Sequence, residues 1–170
     1  MGFLMLLARK IQLQNNLHDV QYQQTTVSNQ LEDLTKYSSI LSQDSIGIGD
    51  ISTLPCSVFG DALYELQNIH NAASQIAGNE MNQAISSGMF GANASQQAQF
   101  IAHQKMYENA RKQIQKQLQA KLNEKEKELQ NKSTRLKALG EEYQAELQGM
   151  DQQISSGIKS QIGGGFGMQG

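Results

Sequence analysis

The side chains able to do chemistry are few and far apart. His18, His70 and His103 lie on three separate segments, and none has a second His, Cys or carboxylate placed in a recognised metal-binding pattern. Cys56 is the single cysteine, so a disulfide within the chain is impossible, and it lacks the local signature of a thiol nucleophile. Glu141 and Glu142 are neighbours in sequence, but adjacent helical positions point about 100° apart and do not converge on one substrate atom. Gly47-x-Gly49 has no strand ahead of it, no third glycine and no Lys-Ser/Thr behind it, so it fails as a phosphate loop. Asn93-Ala94-Ser95 and Asn131-Lys132-Ser133 fit the glycosylation pattern, which carries little weight without a secretory signal. These residues predict no enzyme, no metal and no cofactor.

Composition points to the elements that must then carry the function. The chain has 170 residues, no Trp, one Pro and one Cys, with 6% aromatic and 38% hydrophobic residues. Its mean hydropathy is -0.51. Sandwiches, barrels and disulfide scaffolds need aromatics, turn prolines or paired cysteines, so those classes fall. With 25 Gln in the sequence, the apolar fraction lies below the roughly 45–50% of average globular domains. Such a chain makes a narrow core, as long helices do when they share one apolar seam.

Nothing punctuates residues 3–43: there is no Pro, and Gly2 precedes them. Leu6, Leu13, Val20, Val27, Leu34 and Leu41 recur every seven residues, and the companion column runs Phe3, Lys10, Leu17, Gln24, Leu31, Ser38. A period of about 3.5 residues held over nearly six heptads predicts a coiled-coil seam, in which Gln24 and Ser38 are polar residues able to fix register. Residues 45–94 break the pattern. Residues 44–57 read as a loop that Ile46, Ile48 and Ile51 pack down. Leu63, Leu66, Ile69, Ala73 and Ile76 then predict an amphipathic helix capped by Ser57 or Asp61, which Gly78 ends or interrupts. Met81, Ala84 and Ile85 continue as a shorter turn, before a reversal over residues 86–91. The small side chains here suit close helix contact.

Asn93 or Ser95 caps a second long helix, expected to run to about Ser155 within a segment 95–158. Met106, Ala110, Ile114, Leu118 and Leu122 step by four, then Leu129, Leu136, Tyr143 and Met150 by seven, with Ile154 and Ile158 beyond. Lys125, Lys132 and Glu146 fall at the intervening core positions, which makes this seam thinner. Glu108 with Lys112 and Glu128 with Lys132 have the better i to i+4 orientation for an ion pair. Gly140 and Gly149 mark points where the helix bends or meets another backbone. Residues 159–170 form a Gly-rich tail with Phe166 and Met168 as anchors. The expected fold is therefore one all-α domain: a long helical hairpin or coiled coil of the N- and C-terminal helices (1–44 and 95–158), with shorter helices and Gly-containing loops between them.

Charge follows the same divisions. Residues 1–44 hold three basic and four acidic groups, 45–94 none and four, and 95–170 eleven and eight. Lys105, Arg111, Lys112, Lys116, Lys121 and Lys125 form a basic stretch that could contact an anion. A pI near 5.9 argues against nucleic acid as the main partner. No run approaches the 18 or so apolar residues of a membrane span, and Arg9 and Lys10 follow the apolar opening residues where a signal peptide would place them before. The expectation is a protein of the cytoplasm or a virion, or one exported without a cleaved leader.

The layout of a long N-terminal helix, a small-residue middle and a long C-terminal helix, rich in Gln, Asn and Ser, resembles the axial and filament subunits of flagellar and type III secretion systems. It is also similar to helical components of phage virions. The likeness is one of architecture over the whole chain; no residue motif carries it, so no site residue is transferred. It implies a structural subunit that assembles with copies of itself and with other subunits, with the leucine, valine, isoleucine, tyrosine and methionine seam residues above as its working parts. The competing expectation is a soluble helical adaptor or chaperone that holds a partner on an exposed seam, with nucleic acid on the basic stretch as one variant.

Overall fold

The computed structural model describes residues 3–43, 56–91 and 95–163, and among them every regular element is helical. Helix α1 spans Phe3–Gln43, α2 Cys56–Ser86 and α3 Gln96–Gly163. The loop isoleucines Ile46, Ile48 and Ile51 and the tail anchors Phe166 and Met168 lie outside the described residues. Ser95 caps α3 as its type predicts: its Oγ accepts the Ala98 amide at 3.2 Å. At the other end of α2, Gly88 adopts φ 73°, the left-handed conformation glycine reaches without the Cβ clash other residues meet.

Three expectations about α2 and α3 are corrected. α2 starts at Cys56, so Ser57 and Asp61 lie inside it instead of capping it, and it runs unbroken through Gly78. One glycine costs a helix only about 1 kcal/mol, and the flanking turns outweigh that. α3 continues beyond Ser155 to Gly163.

The contacts divide the chain into two compact units, residues 1–30 with 128–170 and residues 31–127. In the first, α1 and α3 run antiparallel. Lys10 Nζ lies 2.5 Å from Asp151 Oδ1 and Arg9 3.8 Å from Glu146, while farther along α1 Val20 and Gln24 meet Gly140. Leu13, Val20, Val27, Leu136 and Met150 are its buried apolar residues. The second unit packs the end of α1, all of α2 and the start of α3 around Ile40, Leu41, Ala62, Leu66 and Ile69, with Tyr37, Val58, Phe59, Ile114, Leu118 and Leu122 against them. Burying one Leu or Ile fully is worth roughly 1.5–3 kcal/mol, so this small cluster is the main source of cohesion in that unit. Here too α1 and α3 are antiparallel, with Leu34 and Thr35 beside Leu122 and Glu126, and Ser42 beside Gln119.

Candidate assembly surfaces

The seam residues are placed facing inward. Leu13, Val20, Val27, Leu41, Leu136 and Met150 are buried; Leu6, Leu17, Leu31, Leu34, Ile114, Leu118, Leu122, Leu129 and Tyr143 are half-buried. The polar members of the α1 companion column also face the partner helix, and each has a role there. Lys10 pairs with Asp151, Gln24 touches Gly140, and Ser38 Oγ accepts a hydrogen bond from Gln119 Nε2 at 2.9 Å.

On α3 the second column differs from expectation. Lys125, Lys132 and Glu146 are exposed, and the inward positions are Gln119, Glu126, Ser133, Gly140, Leu147 and Ile154, one residue later in each heptad. The sequence signal was faint because this column mixes amide, carboxylate, hydroxyl and glycine. Gly140 is buried, and a Cβ there would sit 3.3 Å from Gln24 Nε2 and 3.5 Å from Val20 Cγ1. It meets side chains of α1, not a backbone, and Gly149 has nothing within 4 Å. The expected Glu108–Lys112 pair is not formed, whereas Lys36 and Glu32 do pair at 2.7 Å.

The α2 stripe is corrected as well. Leu63 and Ile76 are 52% and 39% exposed, and the buried line runs Ala62, Leu66, Ile69, Ala73, Ala77, Ala84. Alanine on the inner line lets helices approach closely, and it moves the larger Leu63, Tyr64 and Ile76 to the outside.

Of the groups that could do chemistry, His18 is exposed, His103 half-buried, and Glu141 and Glu142 exposed. His70 on α2 is hydrogen-bonded through Nδ1 to the Tyr107 hydroxyl on α3, with the two rings parallel to within 9° at 6.2 Å. Tyr107 carried no sequence signal, since only the antiparallel packing of α2 on α3 brings it to His70. Among the described residues no three His, Cys, Asp or Glu side chains gather as a metal site. The hollow between Leu41, Ser42, Gln115, Lys116, Leu118 and Gln119 measures about 190 Å³, below the roughly 300–1,000 Å³ of small-molecule sites.

The basic residues do not form one patch. Lys105, Lys112, Lys116, Lys121 and Lys125 are exposed and Arg111 is half-buried. Lys105, Lys112 and Lys116, spaced by seven and four, share one face of α3, while Lys121 and Lys125 point elsewhere. On the α1–α2 side, Asp61 and Glu65 flank Tyr37. Burial, with the Glu65 and Asp61 charges adding to it, pushes the Tyr37 hydroxyl above its ordinary pKa. Lys36 holds the Glu32 carboxyl below the usual range by hydrogen bond and by charge.

Among the described residues, no helix is long and apolar enough to cross a membrane. The chain matches no protein-family model, and no curated protein or solved structure matches it.

Proposed function

We propose that this chain is a non-enzymatic structural subunit. In this reading the N- and C-terminal helices close on each other as an antiparallel coiled-coil hairpin, and copies associate through the outer faces into a filament, ring or virion-type assembly. The inward columns at heptad spacing on α1 and α3 support the coiled coil, because a straight helix drifts about 20° per heptad and only a supercoiled pair keeps such columns on one line.

The observation that carries the assembly reading is the large apolar side chains left outside while the inner faces are already covered. Tyr22 is 75% exposed, Tyr64 67%, Phe100 68% and Leu63 52%. Leu4, Ala8 and Ile11, spaced by four and three on α1, are exposed in one line that Tyr22 continues. Such lines at helical spacing are what a further helix recognises.

Light scattering of the purified chain over a concentration series, with electron micrographs of the same samples, tests the proposal. Large species that grow with concentration are the expected result. A monomer at every concentration would overturn it in favour of the adaptor.

A further inference from the structure

We infer that the second unit is a head-to-tail connector, in which the flank of α2 that borders α1 and carries Asp61, Glu65 and Ile76 on one copy docks antiparallel on the outer face of α3 on the next. This deepens the self-assembly reading and rests on it.

The charges on these two faces are opposite and, among the described residues, unmatched by ion pairs. α2 contains Asp61, Glu65 and Glu80 and no Lys or Arg, and the outer face of α3 carries Lys105, Lys112 and Lys116 with the single carboxylate Glu108 among them. Among the described residues, neither the Asp61 and Glu65 carboxylates nor the Lys112 and Lys116 amines take part in an ion pair. Asp61 and both lysines are exposed and Glu65 is half-buried, so all four are open to a neighbour.

Spacing then selects the pairing. Asp61 and Glu65 are four residues apart and Ile76 lies eleven farther along α2; Lys116 and Lys112 are four apart and Ile101 lies eleven back along α3. Laid antiparallel, Asp61 meets Lys116, Glu65 meets Lys112, and Ile76 meets Ile101 of the next copy at a single register. Those isoleucines are 39% and 47% exposed, so covering them adds an apolar contact beyond two ion pairs. Tyr64, exposed beside Asp61, offers its ring face to the lysine stems. A parallel arrangement can match the charges but separates the isoleucines.

Two further consequences follow from where the faces lie. Each copy has one acidic and one basic face, so the contact is heterologous and propagates, either closing into a ring or extending as a filament. Ile76 lies six residues after His70 and Ile101 six before Tyr107, so the register between copies equals the one that His70 and Tyr107 hold within a copy. Neighbouring second units would then stand level, side by side.

The test is charge exchange in the full chain, read by sedimentation velocity with circular dichroism to confirm folding. One variant carries Asp61→Lys and Glu65→Lys, the other Lys112→Glu and Lys116→Glu. Wild type should associate about tenfold more weakly when salt rises from about 0.05 M to about 0.5 M, as expected for two exposed ion pairs. Each variant alone should stay dissociated, because its two faces now repel, and an equimolar mixture should regain wild-type association. A mixture no larger than its components would overturn the inference. Wild type that associates regardless of salt, with both variants associating equally well, would overturn it and leave self-assembly standing. A wild type that stays monomeric at low salt would remove both.

Discussion

Gln119 on α3 binds Ser38 and Ser42 on α1 with one carboxamide. Its Nε2 donates to Ser38 Oγ at 2.9 Å and its Oε1 accepts from Ser42 Oγ at 3.1 Å, while Nε2 also reaches Asn123 Oδ1 at 3.1 Å. Placed next to Leu118 and Leu122, this polar layer is satisfied at one alignment of the two helices and unsatisfied at others, which is how polar residues in a seam select register.

Gln119→Ala should therefore lower stability by about 1–2 kcal/mol, since neutral hydrogen bonds contribute about 0.5–1.5 kcal/mol each and Ser38 would lose its partner. Urea unfolding followed by circular dichroism measures this. A midpoint equal to that of wild type would show that the layer contributes nothing to cohesion.

Two glycines of α3, Gly140 and Gly149, should respond in opposite directions. Gly149→Ala, with nothing within 4 Å of its new methyl, should stabilise by about 0.5–1 kcal/mol through helix propensity alone. Gly140→Leu drives a side chain into Val20 and Gln24 and should cost about 1–3 kcal/mol. Thermal melts of both variants check the contrast, and equal shifts would mean the Gly140 contact is absent in solution.

Val27 is 1% exposed, so Val27→Asp would bury an unpaired charge and should cost at least about 3 kcal/mol. Loss of helical signal, and of any assembly with it, is the expected result. Tyr22→Asp, five residues away but 75% exposed, should leave the fold within about 0.5 kcal/mol of wild type. Particle size in this second variant reports on association separately from folding.

Alkaline pH should weaken the second unit through Tyr37. Its folded-state pKa is raised, first by burial and then by Glu65 and Asp61. Its contribution is thus fully present below the unfolded value of about 10 and is lost as pH rises through the folded value, because the unfolded chain releases the proton first. Comparing urea midpoints near neutrality and above about pH 10, Tyr37→Phe should lose less stability than wild type. Identical losses would place the alkaline sensitivity elsewhere.

Much of this molecule is legible from residue spacing. The α1 helix and its leading column Leu6, Leu13, Val20, Val27, Leu34, Leu41 follow from apolar residues at every seventh position, and these are the residues found buried or half-buried. The α3 companion column is not legible because Gln119, Glu126, Ser133 and Gly140 look like surface residues. Their inward orientation depends on what α1 presents opposite them: Ser38 for Gln119, and Gln24 and Val20 for Gly140. The inner line of α2 is hard to read from sequence for the converse reason. Hydrophobicity favours Leu63 and Ile76, whereas close packing selects Ala62 and Ala77, where a larger side chain would hold the helices apart. Tyr107 beside His70 and the matched spacing of Asp61–Glu65 with Lys112–Lys116 require the packing to be known first.

The His70–Tyr107 contact joins positions only 37 residues apart, whereas Ser38 and Gln119 are 81 apart. Loop-closure entropy grows with the logarithm of the intervening length, so the α2–α3 contact costs less to close than the α1–α3 contact. An emerging polypeptide would hold α1 without its α3 mate through most of its own synthesis. Zippering of α3 back along α1 is then the last step of maturation, and amide protection should appear around residues 62–77 and 103–114 before it appears around residues 13–27 and 133–147.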